Sequence, residues 1–181
     1  MGKKRLNVVL DLDQTVISAE EMDTFKVNHE KMDKFKYHDM DGYYYVFERP
    51  DLQKFLDWLF ANANVSIWTA ASKDYALFIA DKIILAKPGR KIEWFFFSSH
   101  CKVSKKKKRC IKDLSMLWDI FNIEGFDSSN TVILDDNDEV YSAQQHRVIK
   151  APPFEYKDRN SHLDDWLMKV AKPAIEKRMK D

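Results

Sequence analysis

The chain has 181 residues, 45% of them hydrophobic and 13% aromatic, enough to bury the core of one domain. Its formal net charge of +1 excludes a globally basic polyanion binder, and with 4 Gly and 5 Pro it reads as neither linker nor disordered chain. Two cysteines, Cys101 and Cys110, make no disulfide framework, and no apolar run reaches the length of a membrane span. The basic start MGKKRLNVVL lacks a signal-peptide core, which predicts an intracellular protein, cytoplasmic or nuclear, in a reducing compartment.

Taken in chain order, LNVVLD (6–11) is a continuous Val-rich run ending in Asp, the pattern of a central strand covered on both faces. Residues 19–45 are polar and charged with scattered aromatics, and the insert 17–48 can form only a short hairpin or flap. Asp39 to Gly42 supplies a turn signal before the strand YYYVFERP (43–50). Pro50 suits a first helical turn, and Leu52, Phe55, Leu56 and Leu59 share one helical face. NVSIWT (64–69) reads as a second core strand. An amphipathic helix follows over 73–86 and ends at KPG (87–89). WFFFS (94–98) is a short strand, and the lysine-rich stretch 102–110 reads as a solvated loop, against a nucleic-acid, acidic-tail or nuclear-import patch. DLSMLWDIF (113–121) is helical, TVILD (131–135) is another core strand ending in Asp, and HRVIKAP (146–152) is a further strand. A closing helix starts with Ser161 as N-cap and bends at Pro173. Trp58, Trp118 and Trp166 fall at core positions, and the five His show no metal-ligand spacing.

This alternation predicts an α/β fold with a parallel sheet, whose ligands sit at the carboxyl ends of the strands. Asp11, Thr69, Asp135 and Asp136 all lie there, and Asp13 turns back toward the same place. Gathered carboxylates repel one another unless a cation joins them, and oxygen donors without His or Cys suit Mg²⁺. Thr69 offers a hydroxyl and a backbone N–H to an anion, and a lysine would neutralise a phosphate. These parts fit phosphoryl transfer.

DLDQT (11–15), SIWTAAS (66–72), CIKDLS (110–115) and VILDDND (132–138) together resemble the four motifs of the haloacid-dehalogenase superfamily of phosphatases. ERPDLQKFLDWL (48–59), WTAASKDYA (68–76) and KDLSMLWD (112–119) resemble the small carboxy-terminal-domain phosphatases, the NLI-interacting-factor-like group, from about Leu6 to Leu167. The resemblance implies a three-layer Rossmann-like (haloacid-dehalogenase) fold with a flap and no large cap, residues 1–181 forming a single phosphatase domain. It implies Asp11 as nucleophile, Asp13 as general acid and base, and Thr69 and Lys112 as phosphate-binding groups. It assigns Mg²⁺ to Asp11, the Asp13 carbonyl and Asp136, with Asp135 beside the metal and Thr15 bracing the loop. Gln14 and Val16 stand where that group usually has Glu and Leu, and Asp136 where it often has Asn. Lys105 to Lys108 compete with Lys112 for the lysine role. HCKVSKKKKR (100–109) lacks the rest of a cysteine-phosphatase loop.

An uncapped site suits a phosphorylated macromolecule. The resemblance favours a protein serine/threonine phosphatase acting on a tail such as that of RNA polymerase II. The insert aromatics Phe25, Phe35, Tyr37 and Tyr43 to Tyr45 either contact such a peptide or form the flap's own core. Two other readings stay open: a phosphatase of nucleic-acid ends or nucleotides, and a non-catalytic phosphopeptide-binding module.

Overall fold

The computed structural model describes residues 5–180. Five parallel strands form the central sheet in the order β6-β5-β1-β7-β8. They are β1 (Asn7–Leu10), β5 (Asn64–Trp68), β6 (Ile92–Phe96), β7 (Thr131–Asp135) and β8 (Val148–Lys150). β1 lies in the middle, in register with β5 (Leu10 beside Ile67) and β7 (Leu10 beside Leu134). That placement explains its unbroken apolar run: Val8, Val9 and Leu10 are fully buried. Val8 and Leu10 face the core containing Phe55, Leu56, Ile79 and Leu167, while Val9 faces the core of Trp68, Leu114, Leu117 and Val140. Two cores on opposite faces of one sheet make three layers.

The helices are α2 (Leu52–Asn62), α3 (Lys73–Ile79), α4 (Ser98–Lys108), α5 (Ser115–Asp119), α6 (Asp138–Ala143) and α7 (Lys172–Lys180). Two π-helical turns, Ala80–Ile84 and Leu167–Ala171, extend α3 and precede α7. The chain is therefore an α/β fold of the expected type without a large cap. Three details differ from expectation. The lysine-rich stretch is not a loop but most of α4: Lys is a good helix former, and Cys101 and Ser104 bury one side of it. Asp51, in a left-handed conformation (φ 63°), caps α2, so Pro50 precedes the helix instead of opening it. Ser161 begins a short 3₁₀ turn, Ser161–Leu163, well before the final helix.

The insert forms its own antiparallel sheet, ordered β2 (Ile17–Glu21), β4 (Tyr44–Glu48), β3 (Tyr37–Met40), with the short helix α1 (His29–Met32) before β3. Asp41 and Gly42 turn β3 into β4 with φ of 49° and 79°, the pair of positive angles a tight hairpin requires. An aromatic cluster fastens this flap to the segment after β8. Phe35 and Phe47 pack on Phe154 and Tyr156, with the Phe47 and Tyr156 rings stacked at 3.8 Å.

Candidate active site

β1, β5 and β7 end at the same level, so their last residues and the loops beyond them share one space. Asp11 and Asp135 are buried there, at 5% and 0% exposure, and Lys112 reaches them from the α4–α5 connection. The Lys112 ammonium donates to Asp11 Oδ1 at 2.5 Å and to Asp135 Oδ2 at 2.8 Å. A lysine 2% exposed tolerates its charge only because two carboxylates repay the lost hydration. They hold its proton more tightly than an ordinary lysine's, outweighing burial, which favours losing it. Lys105 and Lys108 instead pair with Glu139 and Asp119. The connection carrying Lys112 is itself locked. Gln144 donates to the Lys112 carbonyl (2.6 Å) and accepts from Leu114 N–H (3.0 Å), and Ser104 accepts from Asp113 N–H (3.0 Å).

The loop after β1 folds back on itself through Gln14, whose φ is +62°. Val16 N–H returns to the Leu12 carbonyl, which places the Thr15 hydroxyl under the site. That hydroxyl is 2.8 Å from Asp11 Oδ2 and 3.2 Å from Asp136 Oδ1, and it accepts from Asp136 N–H at 3.1 Å. Arg49, fully buried, donates to the Thr15 carbonyl (2.9 Å) and forms a bidentate ion pair with Asp164 (2.7 Å for each bond). Asp13 points into an adjoining cleft of about 470 Å³ lined by Met40, Tyr43, Tyr44 and Tyr75. Tyr75 donates to Asp13 Oδ1 at 2.5 Å. Burial pushes the Asp13 carboxyl above its ordinary value, with the Asp11 charge adding and the Tyr75 bond opposing.

Asp11, Asp135 and Asp136 each bring a carboxylate oxygen to within 4.8 Å of the other two. Burial, then the charge of Asp11, raises the pKa of both Asp135 and Asp136. Three carboxylates around a single ammonium leave a deficit of positive charge that a divalent cation would cancel, and an all-oxygen donor set suits a hard ion. Thr69 is buried at the end of β5. Its backbone N–H bonds the Phe96 carbonyl (2.9 Å), so that donor, expected to face an anion, belongs to the sheet. Its hydroxyl accepts from Ala71 N–H (3.1 Å) and keeps its own proton to donate.

Of the insert aromatics, Phe25, Phe35 and Tyr45 pack inside the flap cluster, while Tyr43 and Tyr44 line the cleft beside Asp13. Sequence reasoning missed Tyr75, Arg49 and Gln144. Only the position of Tyr75 six residues after Thr69, in the first turn of the next helix, hinted at the site.

Residues 6–181 match the family model of the NLI interacting factor-like phosphatases. The chain belongs to this family. It is 44% identical over 174 residues to the CTD phosphatase-like protein 355R of Invertebrate iridescent virus 6, covering 91% of this chain and 94% of that one. The 355R protein of Invertebrate iridescent virus 3 is also 44% identical, over 180 residues, with 94% and 95% covered. Among solved structures, the RNA polymerase II CTD phosphatase Fcp1 superposes with a TM-score of 0.56 at 25% identity, over 83% of this chain and 42% of that one. A fission yeast Fcp1 variant bound to beryllium fluoride superposes at 0.59, with 21% identity, over 98% and 50%. The chain thus spans about half the length of the Fcp1 structures it matches. Membership makes this a haloacid-dehalogenase-type phosphatase. No helix among the described residues is long and apolar enough to cross a membrane.

Proposed function

We propose that this phosphatase hydrolyses phosphoserine or phosphothreonine in an extended protein tail, through an aspartyl-phosphate on Asp11 and with Mg²⁺. The convergence of Asp11, Lys112, Asp135 and Asp136 at the strand ends, with Asp13 on the rim, supports this reading. One Asp11 oxygen attacks phosphorus as the bond to the serine or threonine oxygen breaks. Asp13 gives its proton to the departing alkoxide, a role helped by its raised pKa. Asp13, now a carboxylate, takes a proton from water. The water oxygen attacks phosphorus, the bond to Asp11 breaks and phosphate leaves. Lys112 and the Thr69 hydroxyl neutralise and orient the phosphoryl oxygens. Asp11, the Asp13 carbonyl and Asp136 would hold Mg²⁺, Asp135 would lie beside it, and Thr15 would brace the first two carboxylates. The cation would supply charge neutralisation at the phosphate.

The site's openness and the cleft beside Asp13 support a peptide substrate, with the RNA polymerase II tail as a candidate. We take residues 1–181 as one phosphatase domain acting in the cytoplasm or nucleus, with 17–48 as its flap. The test is hydrolysis of an aryl phosphate with Mg²⁺, with EDTA, and by Asp11→Asn. Turnover that needs both the metal and Asp11, and stoichiometric capture of beryllium fluoride by the intact protein alone, are expected. Metal-independent turnover, or turnover by Asp11→Asn, would overturn the mechanism. A preference for phospho-oligonucleotides over phosphopeptides would move the substrate to nucleic-acid ends.

A further inference from the structure

α4 carries Lys102, Lys105, Lys106, Lys107 and Lys108, and Arg109 caps it. Two of the six cations have carboxylate partners: Lys105 with Glu139 at 2.7 Å, and Lys108 with Asp119 at 2.8 Å. Lys102, Lys106, Lys107 and Arg109 are exposed, and among the described residues no carboxylate pairs with them. Lys102 and Lys106 are four apart, so they share a helical face, and Arg109 continues it. The stripe extends about 10 Å, from seven residues at about 1.5 Å each. Like charges at this spacing destabilise a helix. Favourable placement near the helix's negative end accounts for lysines in its last turn, not for Lys102 at its middle. In a chain of net charge +1, such a concentration calls for an anion from outside.

The helix is also a wall of the site. In its first turn Cys101 Sγ contacts the Thr69 carbonyl at 3.4 Å. Farther along, Lys105 holds Glu139, which also accepts from Ile111 N–H at 3.1 Å, beside Lys112. Glu139 follows Asp136 by three residues. Lys102 sits one turn before Lys105, exposed on α4.

Resting on the phosphopeptide reading above, we infer that the Lys102–Lys106–Arg109 face is a second anion site, which selects substrates carrying a further phosphate a few residues from the one being removed. An extended peptide advances about 3.3 Å per residue, so about three residues of it span the stripe. A single-stranded nucleic acid fits less well, because its binding surfaces combine cations with exposed aromatic rings. The exposed large apolar residue on α4 is Val103, and the exposed aromatics, Tyr37 and Tyr43, belong to the flap.

The deciding experiment compares singly and doubly phosphorylated forms of one peptide, using intact protein and Lys102→Gln/Lys106→Gln/Arg109→Gln. The wild type is expected to favour the doubly phosphorylated peptide in kcat/KM by about tenfold, through KM and less so at high salt. The triple variant is expected to lose that preference while hydrolysing aryl phosphate at the wild-type rate. Equal kcat/KM for the two peptides in the wild type, or an undiminished preference in the variant, overturns the inference. So does a variant whose only loss is salt-sensitive oligonucleotide binding, which would make the face a nucleic-acid surface. If the wild type hydrolyses no phosphoester, the functional reading fails first. Anisotropy of the two labelled peptides on the Asp11→Asn protein, with and without the three substitutions, then decides the anion site by itself.

Discussion

The Tyr75 hydroxyl lies 2.5 Å from Asp13 Oδ1, and the Tyr75 ring meets Tyr44 of the flap edge-on at 5.5 Å. One phenol thus connects the rim carboxylate to the insert. The bond fixes the Asp13 rotamer and favours its ionised form. Tyr75→Phe keeps the ring and removes the donor. Turnover of aryl phosphate is expected to fall about tenfold, part of the roughly hundredfold or more that a well-placed acid-base group contributes. The sign of the pH effect is fixed. Without the donor, the Asp13 carboxyl rises further above its ordinary value, so the alkaline limb of kcat/KM, where the acid is lost, moves to higher pH. A limb that stays in place or moves to lower pH would show that Tyr75 does not act through Asp13.

Asp135 and Asp136 have raised pKa values because burial and Asp11 disfavour their charge. The native metal-free protein therefore binds their protons more tightly than the unfolded chain does. This destabilisation is present at neutral pH and is relieved as pH falls through the raised values toward the unfolded value near 4. A divalent cation relieves it without protons. At pH 7.5, Mg²⁺ at about a hundred times its Kd is expected to add about 2.7 kcal/mol. Differential scanning calorimetry across pH checks both statements. The Mg²⁺ increment is expected to shrink on acidification, and to shrink at every pH in Asp136→Asn. An increment that grows toward acid pH would mean that the cation binds elsewhere.

Arg49 is 1% exposed, and its guanidinium spans Asp164 and the Thr15 carbonyl. Asp164 keeps 21% of its side chain exposed and can be rehydrated, so losing Arg49 costs about 2 kcal/mol in charged hydrogen bonds and the stranded Thr15 carbonyl. Arg49→Met is expected to lose that much in urea denaturation. It is also expected to lower kcat at temperatures where it remains folded, because Thr15 then holds Asp11 and Asp136 less firmly. Arg49→Lys restores charge but not the fork, and is expected to recover only part of the stability. A variant with wild-type stability and slowed turnover would make Arg49 a purely local brace.

What was legible in the sequence follows from how much of it is local. A strand buried on both faces is written as an unbroken apolar run, so β1, β5 and β7 declared themselves, and the polar residues at their ends marked the site. Asp11, Asp135, Asp136 and Lys112 meet as those ends require. Tyr75 and Arg49 depend on partners 62 and 115 residues away, and nothing within their own segments announces this. Thr69 showed the opposite weakness. Its hydroxyl was legible, but the engagement of its N–H depended on how far β6 continues alongside β5. In α4, five lysines masked a helix whose buried side is marked only by Cys101 and Ser104.

The strand order β6-β5-β1-β7-β8 has a consequence for how the protein is made. Its middle strand comes first in the chain, yet β1 stays unpaired until β5 is available on one side and β7 on the other. Lys112 lies 101 residues from Asp11, and the rings that fasten the flap at Phe47 belong to residues 154 and 156. Pairings this distant must pay for loop closure before they stabilise anything, which slows folding. On the ribosome, Asp11 emerges long before Lys112, Asp135 and Asp136. Until they follow, the segment VVLDLD is an apolar strand with two open edges, the kind of surface chaperones hold.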